Sequence, residues 1–106
     1  MKFIAVTSCP VGMAHTYMAS AALKESAKKL GAEIRVETQG MTGISNRLTA
    51  ADIKEADVVI LTNDVVIEEQ ERFDGMVTLT TTTSKIIKNG DAVMQEAIAL
   101  IKKEKP

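Results

Sequence analysis

Phe3-Ile4-Ala5-Val6-Thr7-Ser8-Cys9-Pro10-Val11-Gly12-Met13-Ala14-His15-Thr16 is the stretch on which the architecture turns. Its first five residues form a short apolar run rich in β-forming side chains, the pattern of a strand buried on both faces. Pro10 and Gly12 mark a turn. Beyond it Ala19, Leu23, Ala27 and Leu30 recur at helical spacing, with Lys24, Glu25, Lys28 and Lys29 opposite them. Glu25 and Lys29 stand four apart in the favourable order, and Gly31 ends the helix.

The alternation continues outward. Residues 33–38 set Ile34 and Val36 on one face of a second strand, and Gln39-Gly40-Met41-Thr42-Gly43 reads as a loop. Thr49 with Asp52 three positions later has the form of a capping box for a short helix through Ala56. Asp57-Val58-Val59-Ile60-Leu61-Thr62 is the clearest buried strand, closed by Asn63 and Asp64. Residues 68–73 suit a helical turn, Asp74-Gly75 a tight turn, and residues 76–80 a fourth strand. The threonine run 80–84, which lacks glycine, reads as a strand end and a helix cap rather than a phosphate loop. Asn89-Gly90-Asp91 introduces a last amphipathic helix in which Val93, Ala97, Leu100 and Ile101 share a face. Strands alternating with helices imply a parallel sheet with right-handed crossovers. The expectation is one domain over residues 1–106: an α/β three-layer sandwich on a four-stranded, mainly parallel sheet, flavodoxin-like or Rossmann-like.

Composition narrows the function. Among 106 residues 45% are apolar and 25% charged, the balance of an ordinary globular protein, and the net charge is -1. No stripe of lysine and arginine exists to neutralise a nucleic-acid backbone, and three aromatic residues (Phe3, Tyr17, Phe73) make no stacking platform. A single cysteine excludes an internal disulfide and a cysteine-cluster metal site. Neither a secretory signal nor an apolar stretch of about 20 residues is evident. A reduced, cytoplasmic protein is the expectation.

The chemistry centres on Cys9 and the loop Pro10, Val11, Gly12, Met13, Ala14, His15 and Thr16. In open α/β sheets ligands bind at the carboxyl ends of strands, and here that end meets the start of a helix. Unpaired N–H groups and the helix dipole favour an anion there, so the field favours the thiolate of Cys9 and could cradle a phosphoryl group on the sulfur. Gly12 permits the close turn, and Thr16 offers a hydroxyl. No lysine or arginine occurs from residue 3 to residue 23, which leaves the stabilisation to backbone dipoles. Taken alone, Cys9 is equally a small buried hydrophobe; its place in a strand–turn–helix tips the balance to function. His15 has two readings, a helix-start residue satisfied by local backbone or a contact to the phosphoryl group.

Other residues read more plainly. Gln39-Gly40-Met41-Thr42-Gly43 either admits a partner near the cysteine loop or merely connects. Asp57 begins a strand or caps a helix. Asp64 would repel a dianion, so a turn role is expected. Met13, Met18 and Met41 surround the loop as an adaptable rim or core filler, with Met18 expected inside. Lys102, Lys103 and Lys105 read as a solvated tail.

The same residues resemble a known family. Cys9-Pro-Val-Gly-Met-Ala-His-Thr-Tyr-Met-Ala is similar to the CPTGIAHTFMA-type signature of the fructose-type IIB domains of the phosphoenolpyruvate-dependent sugar phosphotransferase system (PTS). Val36-Glu-Thr-Gln-Gly40 resembles the family's VETQG, Asn46-Arg-Leu-Thr-Ala-Ala-Asp-Ile its N-x-L-T-x-x-D-I, and Arg72-Phe73-x-Gly75 its R-F-x-G. The segments fall in the family's order between Thr7 and Gly75. Val11 departs from the usual threonine and removes one hydroxyl donor, and residues 78–88 match no family pattern.

The resemblance implies a relay. A histidine-phosphorylated IIA domain passes its phosphoryl group to Cys9, the covalent carrier. Cys9 passes it to a sugar held by a membrane IIC permease domain, where the chain associates with the inner face of the membrane. The activity is that of a protein-N(pi)-phosphohistidine–sugar phosphotransferase component, with D-fructose the first candidate; a fructose-like ketose or a mannose derivative stays open. No metal and no organic cofactor is implied. Low-molecular-weight tyrosine phosphatases share the layout and are the alternative, but their C-x5-R loop puts an arginine where this chain has His15. A non-enzymatic interaction module is the third reading.

Overall fold

In a computed structural model the structure describes residues 1–9, 13–40 and 43–104, with only the backbone of Met13. The elements follow in order: β1 (Lys2–Ser8), α1 (Met13–Leu30), β2 (Glu33–Gly40), β3 (Gly43–Ser45), α2 (Ala50–Glu55), β4 (Val58–Thr62), a 3-10 turn (Gln70–Phe73), β5 (Thr78–Thr81), α3 (Thr83–Lys88) and α4 (Gly90–Glu104). The expected α/β sandwich is the one observed, and its sheet has the order β3-β2-β1-β4-β5. The expected strands pair in parallel, β1 with β2 and β4, and β4 with β5. A fifth strand, β3, pairs antiparallel with β2, matching Thr38 with Ser45 and Gln39 with Ile44. Of the segment expected as a loop, Gln39 and Gly40 therefore end β2 and Gly43 starts β3. Met41 and Thr42 lie outside the described residues, as does Lys105.

Burial explains why each strand is placed as it is. β1 and β4 are apolar on both faces and occupy the middle of the sheet, each buried along nearly its whole length. Phe3, Ala5, Val58 and Ile60 point to one side and pack with Ala19, Leu23 and Ala27 of α1, Ile86 of α3, and Val93, Met94, Ala97 and Ile101 of α4. Ile4, Val6, Val59 and Leu61 point to the other, against Leu48, Ile67 and Phe73 with Ile53 of α2 beside them. The period-2 geometry of the strands thus feeds two cores, one per face.

Local signals act where expected. Thr49 Oγ1 accepts from Asp52 N while Asp52 Oδ2 accepts from Thr49 N, a complete capping box. Gly31, at φ 67°, closes α1 in the left-handed region. Thr82 caps α3 by accepting from Lys85 N, so the strand end and helix cap read in the threonine run are both present. Two expectations fail: Leu30 is exposed, and Met18 is 54% exposed rather than inside. Met18 lies on the flank of α1 turned away from its buried stripe, whereas Leu30 keeps the helical spacing of Leu23 and is exposed in the last turn of the helix. Lys102 and Lys103 form the last turn of α4, where their charge suits the carboxyl end of the helix dipole.

Candidate functional site

After β1 the chain crosses to β2 on one side, and after β3 it crosses back to β4 on the other. The strand order therefore reverses at β1, the position where open α/β sheets form a crevice at their carboxyl ends. Cys9 stands one residue beyond β1 at that edge, only 9% exposed. Side-chain hydroxyls hold the strand end in place. Thr62 Oγ1 accepts from Ser8 N at 3.0 Å and has the carbonyls of Ser8 and Val6 at 3.2 and 3.4 Å. Thr7 Oγ1 donates to the Thr16 carbonyl at 3.3 Å, tying β1 to the first turn of α1.

His15, half-buried on that first turn, brings Nδ1 to 3.0 Å from Cys9 Sγ. The same nitrogen lies 3.1 Å from Thr83 Oγ1. Thr83, fully buried at the start of α3, donates from Oγ1 to Asp64 Oδ2 at 3.0 Å and from N to Asp64 Oδ1 at 2.9 Å. Four residues from the ends of β1, β4 and β5 and from the start of α1 thus form a continuous polar chain ending on the sulfur. The partners of His15 are side chains, not local backbone, so it is not a helix-start residue satisfied by the backbone around it. Asp64 does serve a turn, as expected, by anchoring α3, but that anchor also belongs to the chain. The threonine run reads as a strand end and cap, but the contact of Thr83 to His15 spans 68 residues and leaves no local spacing to signal it. The signal available was topological, since parallel strands deliver β4, β5 and β1 to one edge.

Of the other loop residues, Thr16 is buried and Ala14 exposed, while Pro10, Val11 and Gly12 lie outside the described residues. The first turn of α1 carries no carboxylate, so nothing there opposes an anion beside Cys9. Tyr17 and Met18 on α1 and Val66 after β4 are more than half exposed near the same edge. Among the described residues no cluster of histidine, cysteine and carboxylate side chains has metal-binding form. Among the described residues, likewise, no helix is long and apolar enough to cross a membrane. Asp57 proves to be a strand-start residue: its N–H donates to the Lys2 carbonyl and its Oδ2 accepts from Lys2 N.

Two motifs noted in the sequence meet on the opposite face of the sheet. Glu37 of β2, fully buried, accepts from Arg72 Nη1 and Nη2 at 2.9 Å each, from Gln39 Nε2 at 2.8 Å and from Leu48 N at 2.9 Å. Burial pushes this carboxyl up, but the hydrogen bonds from Arg72, Gln39 and Leu48 and the Arg72 charge together hold it below the usual range. Gln39 also pairs with the backbone of Glu68, accepting from its N–H and donating to its carbonyl. Gln39 is therefore a buried clamp rather than a loop residue open to a partner.

The family model described as "PTS system, Lactose/Cellobiose specific IIB subunit" matches residues 4–96. "PTS system fructose-like EIIB component 2" of Escherichia coli K12 is 50% identical over 95 residues, covering 90% of each chain. "PTS system fructose-like EIIB component 1" of the same strain is 44% identical over 103 residues, 97% of this chain and 95% of the relative. The chain belongs to the EIIB family of the PTS. Solved structures agree with this EIIB assignment. The solution structure of the enzyme IIB subunit from E. coli K12 superposes with a TM-score of 0.89 at 43% identity, covering 99% of this chain and 97% of that one. A domain of the fructose-specific IIABC component of Borrelia burgdorferi gives 0.85 at 49% identity, with 91% of each covered. EIIB components act as phosphotransferases in sugar PTS. The resemblance in the cysteine loop, the VETQG segment and the R-F-x-G segment is thus a family relationship over most of the chain.

Proposed function

We propose that this EIIB chain is a phosphocysteine carrier whose acceptor is Cys9. The observation that carries the reading is the placement of the only thiol of the chain at the switch point of the sheet, against a helix start without carboxylates and with His15 Nδ1 3.0 Å from the sulfur. In the first transfer the sulfur attacks the phosphorus of a phosphohistidine on a IIA domain. The S–P bond forms as P–N breaks, and the departing imidazole nitrogen keeps the electron pair and takes a proton from solvent. In the second a sugar hydroxyl oxygen attacks that phosphorus. The O–P bond forms, the S–P bond breaks with its pair left on sulfur, and the hydroxyl proton passes to a base beside the sugar or to water.

The sugar is fructose or a fructose-like ketose held by a membrane IIC domain, a reading supported by the names of the relatives. The domain works as one unit over residues 1–106, on the cytoplasmic side of the membrane beside IIC. The loop from Pro10 to Thr16 encloses the phosphoryl group, the backbone N–H groups that follow Pro10 donating to its oxygens, and no metal or cofactor takes part. Incubation with a phosphorylated IIA domain, followed by intact mass measurement, should show one phosphoryl group on the wild type. It should be absent in Cys9→Ser and after alkylation of the thiol. Normal loading of Cys9→Ser would end the carrier reading.

A further inference from the structure

We infer that Asp64 and Thr83 are positioning residues that fix the His15 proton on Nδ1, facing the Cys9 sulfur, so that His15 serves as a hydrogen-bond donor and not as a base. The protons available at the three residues decide the tautomer. An ionised carboxylate only accepts, and a hydroxyl has one proton to give. Asp64 takes the Thr83 N–H on Oδ1 and the Thr83 hydroxyl proton on Oδ2. Thr83 Oγ1 is then left with lone pairs alone toward His15, and the 3.1 Å contact is satisfied only if Nδ1 carries the hydrogen. That N–H also lies 3.0 Å from Cys9 Sγ, which accepts it best as a thiolate. Which ring nitrogen is protonated is set here by the second partner of the ring, as is general for histidine.

The inference rests on the carrier reading and gives His15 one task in both transfers. Before loading, Nδ1–H stabilises the attacking thiolate. When the sugar oxygen displaces sulfur, the electron pair returns to Sγ and Nδ1–H meets the same developing charge. The histidine proton is neither lost nor gained in either step. A base role through Nδ1 would need that nitrogen bare, which the carboxylate-anchored hydroxyl prevents.

His15 is the only histidine, so long-range proton–nitrogen spectra of the uniformly labelled protein report one imidazole. With the ring neutral, the wild type should show the Nδ1–H tautomer. Asp64→Asn gives the sharpest reversal. The amide oxygen keeps the Thr83 N–H while the amide nitrogen donates to Thr83 Oγ1. The hydroxyl proton then turns to His15, and the ring must become Nε2–H. Thr83→Val, equal in shape, should lose the preference, and Thr83→Ser should restore it. Loading of Cys9 by phosphorylated IIA should slow by about ten- to a hundredfold in Asp64→Asn and Thr83→Val, the effect of one charge-assisted hydrogen bond, and recover in Thr83→Ser. An Nε2–H ring in the wild type, or an unchanged ring in Asp64→Asn, overturns the inference. So does a reversed ring with wild-type loading. Phosphorylation of Cys9→Ser tells instead against the carrier reading and leaves the imidazole result standing. Should Thr83→Val not fold, Asp64→Asn and Thr83→Ser still decide.

Discussion

Glu37 carries a charge in the interior, and its four hydrogen bonds from three partners explain how. A buried carboxylate is tolerated when its partner and remaining lone pairs are all satisfied. Arg72 supplies a planar fork that lysine cannot copy, and its guanidinium carbon also sits 4.8 Å from the Phe73 ring centroid. Arg72→Leu leaves the carboxylate uncompensated and is expected to cost about 3–5 kcal/mol in urea unfolding. The pH dependence follows from the lowered carboxyl. The unfolded chain binds the proton more readily, so stability rises with pH across this titration. The contribution of Glu37 is present in full above its ordinary value of 4.5 and is lost as pH falls through the depressed folded value. Urea midpoints below pH 4.5 should therefore fall less steeply in Glu37→Gln than in the wild type; equal slopes would tell against the ion pair. The motif residues Glu37, Gln39, Arg72 and Phe73 were visible in the sequence, but their meeting was not. The contact from β2 to the 3-10 turn spans 35 residues and crosses to the face away from Cys9.

Elements meet closely where side chains are small. α4 begins against α1 at Gly90, where an added Cβ would lie 2.9 Å from Ser26 Oγ and 3.2 Å from the Ala22 carbonyl oxygen. Asp91 beside it accepts from Ser26 and from Lys29 Nζ at 3.3 Å, and these bonds hold its carboxyl below the usual range. Gly90→Ala should cost about 1–3 kcal/mol, as overpacking does, and lower Tm by roughly 4–8 °C for each kcal/mol. Calorimetry of Gly90→Ala with and without Ser26→Ala checks it. Only part of the loss should return in the double variant, because the Ala22 carbonyl cannot rotate aside. The sequence showed Gly90 as punctuation and placed α4 correctly, since its apolar period is strong. β3 carries no strand signal, because three residues, one a glycine, show no alternation. α3 is six residues long and begins in a threonine run that favours strands as readily as caps. Met18 was misplaced because methionine suits both a core and an exposed rim, so its identity does not choose a face.

For the molecule as a whole, the three arginines settle what the site lacks. Arg35 pairs with Asp52, Arg47 with Glu69 and Arg72 with Glu37. All are engaged away from Cys9, and none is placed to clamp a phosphoryl group moving toward water. Asp64, the carboxylate of the polar chain, is occupied by Thr83 and is not poised as a general acid. Phospho-Cys9 should therefore survive in the absence of a sugar-holding partner, and p-nitrophenyl phosphate should not be turned over. The hydrolysis rate of the purified phosphoprotein, measured beside transfer to sugar in permease-containing membranes, checks both. Steady turnover of the aryl phosphate that depends on Cys9 would mean a phosphatase. Strand and helix patterns along the chain sufficed to read four of the five strands, and the strand–turn–helix around Cys9 put the thiol at the sheet edge. The half of the site supplied by β4, β5 and α3 was hidden, because one-dimensional spacing does not encode which side chains converge across a crossover.

The polar chain joins residues made far apart in synthesis. At about 5–20 residues per second, the 68 residues between His15 and Thr83 take roughly 3–14 s to add. Throughout that interval the nascent chain displays its thiol without the hydroxyl that orders the imidazole beside it. Ribosome-bound chains stalled before Thr83 should be alkylated at Cys9 without the protection of the finished fold, so the newborn protein is most open to oxidants before α3 and α4 exist.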